Sequence, residues 1–234
     1  MPRVNFKYNV KKDAWSWVVV AKDKNLWGLS WRDQIAHIPD ELLGKIKEAS
    51  FSQAQKIVEE YIKKDKRKEY KNMFLYSEMD ILERSWRTVE KKYFKVLSKI
   101  TQKPIFLDKF NCYFTTGLMC PYNERENWFM VSMWHGIPFS ITTICHEIFH
   151  LQFLHYYKEY LRKKGFKKDQ IEKFKEALTF MLNEEEFSGI ILCEDAGYPD
   201  HQKLRKKMLK IWRKEKNFQK FMERAIVEMK QAKV

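Results

Sequence analysis

The chain has 234 residues, a formal net charge of +14 and a hydrophobic content of 44%, with eight Trp, eleven Tyr and seventeen Phe. So much aromatic surface excludes a disordered chain, and only seven Gly and six Pro argue for long regular elements. The N-terminal stretch MPRVNFKYNVKKDAWSW has charged and polar residues where a secretory signal needs an apolar run. The most apolar window, about residues 136–154, holds two histidines and a glutamate that a membrane span would not carry.

A soluble, cytoplasmic protein is therefore expected. The four cysteines form no C-x-x-C pair, so neither a disulfide framework nor a thiolate zinc site is indicated.

Residues 3–31 read as two or three antiparallel strands: Val4, Phe6 and Tyr8 alternate, Trp15, Trp17 and Val19 alternate, and residues 26–31 are short and aromatic. From Asp40 the period becomes helical. Phe51, Ala54, Ile57, Val58, Tyr61 and Ile62 define one apolar face, and Met79, Leu82, Trp86, Val89, Tyr93, Phe94 and Leu97 another.

After Pro104 a strand is expected within residues 104–117, then a turn near CPYNEREN and a further strand at residues 128–134, WFMVSMW. A helix from about Ser140 to Lys163 is stopped by Gly165. Asp169 with Glu172 resembles a capping box for the next helix, residues 171–183, and Asp200 can cap one last amphipathic helix running from Leu204 to Met229.

With no repeat and no linker, the expected organisation is a single α+β domain over residues 1–234. Strands and helices fill residues 1–100, and the catalytic core and C-terminal helix fill residues 101–234. The sheet is expected to be mixed and largely antiparallel, packed on the helix of residues 140–163.

That helix carries HEIFH, in which His146, Glu147 and His150 form H-E-x-x-H. Residues four apart on a helix lie about 40° apart around its axis, so the two imidazoles face one point. Zinc takes such nitrogen ligands at about 2.0–2.1 Å. Glu147, rotated about 100° from His146, can reach a water there and act as general base. A random arrangement of these residue types gives on the order of 0.01 such matches per chain. Burying two imidazoles and a carboxylate unpaired would also be unfavourable.

The third ligand is not His155, which lies about 140° around the helix from His150. The extension H-E-x-x-H-x-x-G-x-x-H fails too, with Phe153 and Tyr156 in place of its glycine and last histidine. Glu176 is the candidate, set among Phe174, Ala177, Leu178 and Phe180, with Glu184, Glu185 and Glu186 as rivals at the helix end. Thr179 and Asn183 share the face of Glu176 and form a polar stripe able to hydrogen-bond the ligand histidines.

HEIFH followed by an EALTFMLN helix resembles the gluzincin group of zinc metallopeptidases, in particular small single-domain members, over roughly residues 127–185. The resemblance implies a zincin-like fold, zinc held by His146, His150 and Glu176, and Glu147 as the catalytic base acting on peptide or protein substrates. It also implies an oxyanion donor in a downstream loop, for which GYPDH offers Tyr198 and His201, and Asp195 could orient a ligand histidine. Such enzymes hold an extended peptide along an edge strand beside the active-site helix. Residues 128–134 are the candidate strand, or else an ordinary strand with both neighbours present.

The +14 charge admits two readings. Lysine set among glutamate describes solvated helix faces. Basic helices such as KLRKKMLKIWRKEK would alternatively give weak nucleic-acid binding, in a regulatory protein or an inactive zincin scaffold.

Overall fold

The structure is a computed structural model and describes residues 1–22 and 38–231. Among them lie eight α-helices and one four-stranded sheet, an α+β arrangement. Strand β1 (Arg3–Tyr8) is as expected, but the second expected strand is a helix, α1 (Val10–Lys22). The Asn9 side chain accepts from the Lys11 and Lys12 amides and starts that helix. Ala14, Trp17, Val18 and Ala21 then fall at helical spacing on its buried face, so the Trp15, Trp17, Val19 alternation was coincidental. The strand expected at residues 26–31 lies outside the described residues.

Helices α2 (Asp40–Glu48) and α3 (Phe51–Lys64) pack with α1 around a small core that includes Trp17, Val18, Ile46, Ala54 and Val58. Ser50 and Gln53 form a capping box at the start of α3. The long helix α4 (Lys68–Thr101) turns Leu82, Trp86, Tyr93, Phe94 and Leu97 into the main core. It ends at Gln102, in the left-handed region, just before Pro104. Lysine and arginine at i,i+4 from acids on α2, α3 and α4, such as Lys45 with Glu41 and Arg84 with Asp80, sit on exposed faces.

Strands β2 (Lys109–Thr115), β3 (Tyr122–Asn123) and β4 (Trp128–Ser132) complete the sheet in the order β1-β2-β4-β3. The sheet is mixed but not largely antiparallel: β1 with β2 and β2 with β4 are parallel, and only the two-residue β3 runs against β4. Parallel pairing requires long crossovers, and α1 to α4 supply the first. Helix α4 also covers the outer edge of β1. Glu90 accepts from the Val4 amide at 2.8 Å, and Arg87 donates to the Val4 carbonyl at 2.9 Å, which satisfies backbone groups that an open edge would leave available.

Helix α5 (Ile137–Lys163) runs through the main core, with Pro138 in its first turn. Tyr93 donates its hydroxyl to the Cys145 carbonyl at 2.6 Å, and Gly165 at φ +88° closes the far end. Helix α6 (Lys168–Leu178) begins one residue before Asp169, with Gln170 rather than Glu172 accepting from the preceding backbone amide, that of Lys167. It ends five residues early, in a tighter 3-10 turn, Thr179–Asn183.

The expected last helix is two, α7 (Gln202–Glu215) and α8 (Phe218–Gln231), broken at Lys216 in the left-handed region. Asp200 lies in a short turn before α7 (Pro199–His201) rather than at its cap. No described helix is long and apolar enough to cross a membrane.

Candidate metal centre

His146 and His150 lie one turn apart on α5, and the 11-residue α6 passes in front of them with Glu176 in its last turn. His146 Nε2 and His150 Nε2 are each 3.5 Å from Glu176 Oε2. One ligand atom from each of the three residues falls within 4.8 Å of the others. Two tetrahedral ligands about 2.05 Å from one ion sit about 3.3 Å apart, so the spacing suits an ion between them. Burial supports the same reading. His150 Nε2 and Glu176 Oε2 are shielded from water and have no hydrogen-bond partner, a condition that costs about 1–3 kcal/mol per group, and more when charged. A bound cation removes that cost.

The rival carboxylates are elsewhere. Glu184 pairs with Arg213 and Lys216, and Glu186 with Lys216. His155 is exposed and stacks on Phe106.

The surrounding side chains fix the His146 imidazole and the carboxylate. Asp195 Oδ2 lies 2.5 Å from His146 Nδ1, which directs Nε2 at Glu176. Thr179 and Asn183 act one step further back than the polar stripe suggested. Thr179 donates to Asp195 Oδ1 at 2.9 Å, and Asn183 exchanges two hydrogen bonds with the Asp195 backbone. Arg205 on α7 closes the set, with Nη2 3.0 Å from Asp195 Oδ1 and Nη1 donating to Thr179 at 2.6 Å. Gly197, at φ +65°, passes so close to Arg205 that a Cβ would meet Nη1 at 2.6 Å.

On the other side, the buried Lys175 contacts Glu176 Oε1, Glu172 and the Tyr122 hydroxyl. Neither Lys175, Arg205 nor Tyr122 stands out in the motif. Lys175 and Arg205 do carry a signal, because each lies at helical spacing from buried apolar residues, Ile171 and Leu178 or Met208 and Trp212.

The electrostatics follow from these contacts. Burial pushes the His150 imidazole well below its ordinary value, so it stays neutral and able to ligate. Burial would do the same to His146, but Asp195 and Glu176 outweigh it and raise the value to about 10. Burial would raise Glu176, yet His150, Lys175 and His146 hold its carboxyl well below the usual range. Glu147 goes the other way. Burial raises it to about 7, opposed by His146 and reinforced by Glu176.

Glu147 and Tyr198 both line a cleft of about 1110 Å³, bounded by residues 118–125, the first half of α5, α6 and residues 194–198. Burial and the nearby Glu176 and Glu147 keep the Tyr198 phenol protonated and so able to donate. His201 does not line it and sits buried behind the Tyr198 ring, centroids 5.8 Å apart.

Residues 128–134 take the ordinary of their two readings. β4 has β2 on one side and β3 on the other, and the Met130 amide donates to Pro121 O. The cleft wall is instead the chain at residues 118–125.

Comparison with protein-family models, with curated proteins and with solved structures returns no match.

Proposed function

We propose that the chain is a zinc-dependent peptidase of gluzincin type, with a zincin-like fold, in which His146, His150 and Glu176 hold the metal and Glu147 is the general base. The observation that carries this reading is the convergence of two imidazole nitrogens and one carboxylate oxygen, all within 4.8 Å, beside a buried glutamate in an open cleft. The donor set suits zinc, which would polarise a carbonyl and acidify water.

Glu147 does the proton work. With its carboxyl at about 7, it is ionised in an appreciable fraction at neutral pH. It can take a proton from water and then release it to the departing amine. Tyr198 donates its hydroxyl to the oxygen that becomes negative as the carbonyl is attacked. Water and a peptide thus become a carboxylic acid and an amine, with Glu147 returned to its starting state. A cleft of about 1110 Å³ accommodates several residues of an extended peptide.

The test is hydrolysis of a quenched-fluorescence peptide library by zinc-supplemented wild type and Glu147→Gln. The variant is expected to keep its metal and lose at least about 100-fold in rate. Equal rates for the two proteins would remove Glu147 from the mechanism.

A further inference from the structure

Lys175 has no exposed surface and directly precedes the carboxylate of the metal centre. A lysine is almost never buried so deeply unless its ammonium is paired. Nζ is 2.9 Å from Glu176 Oε1 and 2.9 Å from Glu172 Oε2, and it donates to the Tyr122 hydroxyl at 2.7 Å. An ammonium has three protons to give, and these contacts account for all three. The two oxygens of Glu176 are therefore in unlike positions. Oε1 faces the ammonium, whereas Oε2 has no hydrogen-bond partner and faces both imidazoles.

We infer that Lys175 is a positioning residue that makes Glu176 a one-oxygen metal ligand, withholding Oε1 and presenting Oε2. The inference rests on the metal reading of the site. A carboxylate binding through both oxygens would take up coordination space that a catalytic centre keeps open for water or substrate. Adjacent helical residues point about 100° apart, so the lysine must fold back to reach its neighbour. Tyr122 holds it there, with its ring centroid 4.3 Å from Nζ. Because Tyr122 belongs to β3, on the cleft wall, the same lysine ties the ligand helix to the wall against which substrate would lie. A lysine that only neutralised Glu172 and Glu176 would affect stability and leave coordination number unchanged.

Cobalt(II) loaded into the full-length apoprotein reads that number through its visible absorption. Wild type is expected to give an intense four-coordinate spectrum. Lys175→Met, unbranched and of similar length, is expected to give a five-coordinate one at least about twofold weaker. Glu172→Gln, which removes a negative charge beside the lysine but leaves Glu176 paired, is expected to match wild type.

Should Lys175→Met fail to fold, a crystal structure of zinc-loaded wild type decides: one Glu176 oxygen on the metal and the other on Lys175 is the result expected. Both oxygens on the metal, or a Lys175→Met spectrum identical to wild type, overturns the inference and leaves the metal reading standing. Failure of wild type to take up either metal overturns both.

Discussion

Asp195 and His146 meet at 2.5 Å, carboxylate to Nδ1, across 49 residues of sequence. The contact turns the other imidazole nitrogen toward Glu176 and His150. Asp195 is itself anchored by Thr179, Asn183 and Arg205, so the orientation of one candidate ligand depends on the turn Thr179–Asn183 and on α7, both outside its own helix. Asp195→Asn preserves shape and removes the charge. It is expected to weaken zinc binding about 10–100-fold, measured by chelator competition, with the fold retained on circular dichroism.

Arg205 is buried, and its guanidinium reaches Asp195, Thr179 and the Glu176 carbonyl. Gly197 has to pass beside it at positive φ. Gly197→Ala adds about 1–2 kcal/mol of backbone strain and a side-chain clash. A lower melting temperature and weaker zinc binding are expected together, because the displaced Arg205 releases Asp195. A variant with wild-type melting and zinc affinity would contradict this coupling.

Glu90 accepts from the Val4 amide, the Trp86 indole and the Arg87 guanidinium while almost fully buried. Glu90→Ala leaves Arg87 with Glu83 as its carboxylate partner, and leaves the Val4 amide of β1 and the Trp86 indole without their acceptor. A loss of about 1–3 kcal/mol for each of these two orphaned donors is expected in urea unfolding.

Asp65 joins α3 to α4. Burial would raise its carboxyl, but Lys71, the Arg67 amide and the Arg67 side chain hold it down to about 2, from an ordinary 3.8. A group depressed in the folded state stabilises above its unfolded value and loses that contribution as pH falls through the folded one. Asp65→Asn is therefore expected to melt below wild type at pH 7. The gap should narrow between about pH 4 and pH 2 and close below that. A gap independent of pH over that range would rule out the charge of Asp65 as its cause.

The parts of this fold that were legible in the sequence are those written in local spacing. His146 and His150 had to share a helical face, and Glu176 lay conspicuously among Phe174, Ala177 and Leu178. Residues 10–22 carry both a strand-like and a helix-like pattern. The choice falls to the Asn9 cap and to Asp13, which accepts hydrogen bonds from Thr115 and Thr116, a hundred residues away.

The parallel order of the sheet depends on such distant pairings, which periodicity does not encode. Lys175 is an intermediate case. Its place on the buried face of α6 follows from its spacing to Ile171 and Leu178, but its partner Tyr122 is 53 residues away. His201 and Tyr198 share one short stretch of sequence, and their spacing does not say which of them lines the cleft, as Tyr198 does.

Anomalous diffraction at the zinc edge locates a single ion held by the three side chains. Crystals of the protein grown with zinc are expected to show a single strong peak between His146 Nε2, His150 Nε2 and Glu176 Oε2, absent in a His146→Ala/His150→Ala variant. No peak at that point in fully folded, zinc-saturated wild type would contradict the account.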